Sequence, residues 1–90
     1  MRVSPAYSLY ILKCADDSLY TGITTDLTRR LTEHNTSSLG AVYTRSRRPV
    51  ELVYRRNYRD RSAAQRAEAK IKKLTRAAKL ALIAQQGLSI

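Results

Sequence analysis

Two apolar runs near the start of the chain, Tyr7–Cys14 and Leu19–Ile23, are separated by only four residues. The first, Tyr7-Ser8-Leu9-Tyr10-Ile11-Leu12-Lys13-Cys14, is rich in aromatic and branched side chains, which suit a pleated, half-buried surface. The connection, Ala15-Asp16-Asp17-Ser18, is turn chemistry, because Asp and Ser side chains bond their own backbone and tolerate tight geometry. The pair therefore reads as a hairpin on which every later element must pack. Gly22 lies inside the second strand, where a glycine weakens pairing. It needs a reason, such as close approach of another backbone or of a ligand.

Thr24-Thr25-Asp26 supplies N-cap candidates for a helix running from Leu27 to His34 or Asn35. Residues 36–40 read as a polar loop, and the stretch from Ala41 to Pro49 as irregular and very basic, with Arg45, Arg47 and Arg48. Val50 to Tyr58 reads as a third strand. Ser62-Ala63-Ala64-Gln65 matches a capping box, with a helix following through Leu74 and Ala64, Ala67, Ile71 and Leu74 on one stripe. Thr75 re-caps a last helix, Arg76 to Gln86, which is expected to pack Ala77, Leu80, Ala81 and Ala84 and to stop at Gly87. The order is β-β-α-β-α-α. We expect a single α/β domain of the α+β type over residues 1–90, with its core at about 7–86. Its small three-stranded antiparallel sheet would be flanked by about three helices.

A chain of 90 residues supports one modest core. Cys14 is the only cysteine, so no internal disulfide can form and a reducing compartment is expected. Its apolar surroundings favour a buried strand residue over a nucleophile. No apolar run approaches the ~20 residues that span a bilayer. Residues 1–5 also lack the apolar region of a signal peptide, so the expected location is cytoplasmic. Seventeen Lys and Arg against seven Asp and Glu give a formal charge of +10. Such a charge favours a polyanionic partner, of which nucleic acid is the commonest.

The first helix holds the decisive oddity. At helical spacing Arg30, His34, Leu27 and Leu31 form one stripe, and the two leucines must face the core. A guanidinium beside an apolar face costs several kcal/mol unless a carboxylate pairs with it or a cleft admits an anion. Alone, Arg30 reads as a snorkelling structural arginine and His34 as a helix-end histidine. Glu68 is a parallel case, close to the apolar stripe of the next helix and surrounded by Arg66, Lys70, Lys72 and Lys73. Its plain reading is a pair with Lys72, and its functional reading is a ligand for a hard cation. Six tyrosines accompany no Phe and no Trp, which hints that some hydroxyls have work to do. Tyr10 and Tyr20 stand near the middles of the paired strands, whereas Tyr7, Tyr43, Tyr54 and Tyr58 are expected to pack. The missing Trp and Phe anchors, with Glu68 near the apolar stripe, argue against a membrane-surface protein.

Taken in order, Ser8-Leu9-Tyr10, Tyr20-Thr21-Gly22, Arg30 with His34, and Glu68 resemble the GIY-YIG nuclease pattern over roughly Tyr7 to Leu74. The chain looks most similar to the small stand-alone bacterial members. The first motif's leading glycine is replaced by Ser8, and the polar Asn that many members carry after the metal-binding helix has no equivalent at Gln85 or Gln86. The resemblance implies a metal-dependent endonuclease acting on nucleic acid, DNA rather than RNA, in DNA processing or repair. Tyr10 would position or deprotonate the water, with Tyr20 hydrogen-bonding nearby. Adjacent cations would favour the Tyr10 phenolate. Arg30 would hold the phosphate oxygens, and His34 would orient the water or relay a proton. Glu68 would ligate a single Mg²⁺ or Mn²⁺. Gly22 would admit the phosphate to the backbone, and Arg45, Arg47, Arg48, Arg55 and Arg56 would contact the nucleic acid, with Arg59 and Arg61 beside them. No recognition helix is apparent, so selectivity would be for substrate structure or would come from a protein partner. The alternative is a non-catalytic nucleic-acid-binding module on the same fold.

Overall fold

In the computed structural model, which describes residues 6–86, β1 (Tyr7–Lys13) and β2 (Leu19–Thr24) pair antiparallel, with Tyr10 opposite Gly22 and Leu12 opposite Tyr20. The turn between them uses the chemistry expected of it. Asp17 adopts a left-handed φ of 69°, and the Asp16 carboxylate accepts from the Ser18 N–H at 3.0 Å. β3 (Glu51–Tyr58) joins the other side of β1, also antiparallel, giving the order β2-β1-β3. β1 is thus the central strand, and Leu9, Tyr10, Ile11 and Leu12 are all but inaccessible to solvent. Each such aliphatic side chain contributes about 1.5–3 kcal/mol by leaving water.

Four helices cover the sheet: α1 (Leu27–Thr36), α2 (Val42–Arg45), α3 (Arg61–Lys72) and α4 (Arg76–Gln86). Strand alternation sends Leu9, Ile11 and Tyr54 to one face, where Ile71 and Ala67 of α3 and Leu82 and Ile83 of α4 pack on them. The opposite face carries Tyr10, Leu12 and Val50, and Leu27 and Leu31 of α1 cover them. Cys14, just past β1, is buried there with a free thiol.

Asp26 caps α1, its carboxylate accepting from the Arg29 N–H at 3.0 Å, and Thr75 caps α4 by accepting from the Ala78 N–H at 3.1 Å. Other expectations need correction. The N-cap of α3 is Asp60, which accepts from the Ala63 N–H at 2.9 Å, and Ser62 lies inside the first turn. That helix ends at Lys72, so Leu74 falls off its stripe and is exposed. On α4 the face toward the sheet carries Leu82 and Ile83, while Ala77, Leu80, Ala81 and Ala84 face solvent. Leu82 and Ile83 win the buried side over the alanines because they remove more apolar surface from water, while Leu80 falls outside that face and stays exposed. The basic stretch contains the single turn α2, so the helices number four among the described residues. Gly87, the expected stop, and residues 1–5 lie outside the described residues.

Two side-chain clamps lock the connections. The Asn35 carboxamide accepts from the Val50 N–H at 2.7 Å and donates to the Val50 carbonyl at 3.0 Å. The Gln86 carboxamide treats Arg55 in the same way on the open edge of β3, accepting at 3.0 Å and donating at 2.7 Å. No helix among the described residues is long and apolar enough to cross a membrane.

Candidate active site

Tyr10 projects from the central strand toward α1, and its ring lies across Gly22 of the neighbouring strand. A β-carbon at Gly22 would meet the phenolic oxygen at 2.5 Å and Cζ at 2.7 Å. The glycine thus makes room for a phenol, rather than for a second backbone. The Tyr10 hydroxyl is 2.9 Å from Nε2 of His34, which is fully buried. The other ring nitrogen, Nδ1, is 2.8 Å from the hydroxyl of Thr44 on α2. Tyr20 completes an aromatic cluster, its ring 6.5 Å from Tyr10, 5.2 Å from His34 and stacked 5.9 Å from Tyr43.

Arg30 stands one turn before His34 and is half-buried. Its Nη1 donates to Glu33 at 2.9 Å and to the Leu39 carbonyl at 2.7 Å. Glu33 is therefore the carboxylate that makes a cation tolerable beside the apolar face of α1. A guanidinium offers five N–H donors, so donors remain for an incoming anion.

The electrostatics correct one expectation. Burial pushes the Tyr10 phenol up to about 12, and the Arg30 guanidinium beside it pulls down without prevailing, while Tyr20 and Glu68 push further up. The resting group is a phenol, not a cation-stabilised phenolate. Burial also drives His34 down to about 4, helped by the positive charge of Arg30, so the imidazole is neutral at physiological pH.

Glu68 stands on α3, beside Ala67, which packs on the Leu9 and Ile11 face of the sheet. Its carboxylate is half-buried, 3.2 Å from the Lys72 ammonium, and its charge is felt at the Tyr10 phenol. Tyr10, Tyr20 and His34 are brought together directly, with Arg30 one turn before His34, while Glu68 shares no hydrogen bond or ion pair with them among the described residues. Among the described residues no three His, Cys, Asp or Glu side chains cluster as a metal cage. A single carboxylate does fit one hard divalent ion, because Mg²⁺ keeps several waters and takes substrate phosphate oxygens as ligands.

The expected nucleic-acid contacts divide. Arg55 is exposed and lies opposite Tyr10 in the β1–β3 register, on the same face of the sheet. Arg56 points to the other face, in a cleft with Tyr54, Tyr58, Arg66 and Lys70. Arg45 is exposed at the end of α2. Arg47 pairs with Asp16 at 3.1 Å and lies 3.9 Å over the Tyr43 ring. Arg48 is otherwise engaged, donating to the carbonyls of Glu33, His34 and Ser37 at the end of α1. The sequence reading overlooked Glu33 and Thr44. The spacing of Arg30 and Glu33 could have revealed the first, but a lone threonine in a basic stretch carries no local signal.

The sequence model of the GIY-YIG catalytic domain matches residues 6–81. A UPF0213 protein of Desulfotalea psychrophila is 58% identical over 79 residues, covering 88% of this chain and 72% of its own length. Another, of Streptococcus agalactiae, is 53% identical over 81 residues and 90% of each chain. The solution NMR structure of a UPF0213 protein from Bacillus halodurans superposes with a TM-score of 0.60 at 41% identity, covering 91% of this chain and 86% of that one. An NMR structure from E. faecalis gives 0.63 at 40% identity, over 100% and 96%. A matched model over most of the chain and relatives this similar lead to one conclusion: the chain belongs to the GIY-YIG catalytic domain family, alongside small UPF0213 proteins.

Proposed function

We propose that this domain is a cytoplasmic, divalent-metal-dependent endonuclease that hydrolyses phosphodiester bonds in nucleic acid, DNA rather than RNA, in DNA processing or repair. The observation that carries the reading is the buried hydrogen bond from Tyr10 to a neutral His34, flanked by Arg30 and within the field of Glu68. Tyr10 holds the attacking water through its phenolic oxygen. As the new P–O bond forms, the water proton passes to that oxygen while the phenol proton moves to Nε2 of His34. Arg30 binds the phosphate oxygens and stabilises their growing charge, which a planar guanidinium does better than an ammonium. Tyr20 borders the same space. The old P–O bond breaks, and solvent protonates the leaving oxygen.

Glu68 would hold one Mg²⁺ or Mn²⁺, and that ion supplies charge neutralisation at the departing oxygen. Arg45, Arg47 and Arg55 would contact the backbone around the site, and Arg56 would do so only where nucleic acid reaches the other face of the sheet; such contacts position nucleic acid without reading its sequence. Gly22 keeps the second strand bare beside the phenol. The pairing of Glu68 with Lys72 favours a second reading, a non-catalytic nucleic-acid-binding module whose binding survives Glu68→Ala and which never cleaves.

The test is incubation with flap, branched, linear and single-stranded DNA and their RNA counterparts, with Mg²⁺ or Mn²⁺. Wild type is run beside Arg30→Ala and Glu68→Ala. Cleavage of at least one DNA substrate, abolished by both substitutions, is expected. A wild type that nicks nothing, or variants that cut as well as it does, would overturn the proposal.

A further inference from the structure

We infer that the cleft between α3 and β3, on the sheet face opposite α1, is a second nucleic-acid site that takes an unpaired stretch of a single strand. Phosphates of that strand meet Arg56, Arg66 and Lys70, and a base lies on the apolar lining beside Tyr58. The inference rests on the nucleic-acid part of the proposed function and not on cleavage.

Strand alternation poses the problem that this site answers. Tyr54, Arg56 and Tyr58 stand two apart on β3, and their register partners on β1 are Ile11, Leu9 and Tyr7, so all share one face of the sheet. On that face Leu9, Ile11 and Tyr54 are buried, and α3 and α4 pack on them. A packed layer calls for an apolar side chain between the two tyrosines. The position holds an arginine, and the helices leave it exposed. Its guanidinium carbon lies 5.7 Å from the centroid of the Tyr58 ring, so a cation and an aromatic ring are presented side by side.

The opposite wall comes from α3. Arg66 and Lys70 stand four apart on this helix, a spacing at which like charges repel. Both are exposed, and both line the cleft with Arg56. Glu68 lies between them in sequence but pairs with Lys72 at 3.2 Å and does not line the cleft. No carboxylate lines it, and none of the three cations is in an ion pair among the described residues. Arg66 donates to the Ser62 hydroxyl at 2.7 Å, a neutral partner. Three cations from two elements thus converge on a concavity of about 500 Å³ whose most buried lining residues are Tyr54 and Ile71.

Uncompensated cations call for an anion, and an apolar, aromatic lining beside them calls for a flat ring as well. A single nucleic-acid strand supplies both, because its phosphates follow one another and its base faces are free to lie on aromatic groups. A duplex brings the phosphates but keeps its base faces stacked. An acidic peptide brings charge on flexible side chains with no ring attached. The preferred substrate is therefore one with an unpaired arm, held here while Arg30 acts on the other face.

The test follows ¹H–¹⁵N spectra of the labelled full chain as oligothymidylate is added in EDTA, so that nothing is cleaved. The amides of Tyr58, Ala63, Ala67 and Ile71 should shift saturably. The same oligomer paired with oligodeoxyadenylate, and polyglutamate, should move them far less. Arg66→Gln combined with Lys70→Gln should lower the salt slope of oligothymidylate affinity by about 1.4, from two single-strand contacts at about 0.7 each. Lys73→Gln combined with Arg76→Gln removes the same charge from exposed positions outside the cleft and should change the slope by less than half as much. Cleft amides that stay in place overturn the inference, as do amides that move as far with duplex or with polyglutamate. Equal slope losses in the two variants also overturn it, since the cleft would then be only part of a uniformly basic surface. If the cleft binds as stated and no substrate is ever cut, the nuclease reading fails and this site stands. If substrate is cut and the cleft stays silent, the site fails and the nuclease reading stands.

Discussion

The phenolic oxygen of Tyr10 sits where a side chain at Gly22 would begin, 2.5 Å from the position of a β-carbon. The ring cannot swing aside, because it is buried and its hydroxyl is tied to His34. Gly22→Ala should therefore destabilise the domain by about 1–3 kcal/mol, the usual penalty for overpacking a filled core. Urea unfolding checks this. A loss below about 0.5 kcal/mol, within the range of an ordinary surface substitution, would mean that the ring yields easily.

His34 predicts a pH dependence of stability. Its ordinary value of 6.5 applies to the unfolded chain and about 4 to the folded one, so between these values the unfolded state binds more protons. Its contribution is fully present above about pH 6.5 and falls away as the pH drops toward 4, by about 3 kcal/mol in total. Carboxylates titrate in the lower part of this window, so the diagnostic is a comparison with His34→Gln. Wild type should lose more stability than the variant between pH 7 and pH 4.5, and equal losses would show a ring exposed to water.

Glu68 and Lys72 form a half-exposed pair at 3.2 Å, and such pairs contribute little. Glu68→Gln should leave thermal stability within about 0.5 kcal/mol of wild type. Nucleic-acid affinity should also persist while cleavage disappears, as it should when wild type is treated with EDTA. A variant that cleaves normally would remove the carboxylate from the chemistry.

Arg45 and Arg48 are close in sequence and opposite in expected behaviour. Arg45 is exposed, and its removal should reduce the salt dependence of nucleic-acid binding by about one phosphate contact without affecting stability. Arg48 holds three carbonyls at the end of α1, so Arg48→Ala should cost about 1.5–3 kcal/mol in folding stability. Salt titrations beside urea curves separate the two. Equal effects on stability would refute the assignment.

Much of the architecture is legible because its signals are local. The four-residue turn, the Asp26 cap and the core-facing Leu27 and Leu31 are all written within a few positions of where they act. The cap of α3 is harder to read, because Asp60 and Ser62 are both good caps and only the entering backbone chooses between them. The buried face of α4 is ambiguous because alanine favours any helix and marks no side. What escaped the sequence entirely is long-range: α2 is held by Thr44 reaching a histidine ten positions earlier, and the use of Arg48 depends on where α1 ends. The same holds for Tyr10, where residue identity suggests a phenolate near cations but the depth of burial makes it a phenol.

The carboxamide of Gln86 stands where an adjoining strand would otherwise exchange hydrogen bonds with Arg55. It acts as a plug in the seam along which sheets recruit neighbours, occupying both backbone groups at that position. The last turn of α4 therefore guards the solubility of a sheet that has only three strands. Shortening the chain before Gln86 would leave the aromatic cluster on the α1 face untouched and expose a template for strand addition, favouring self-association.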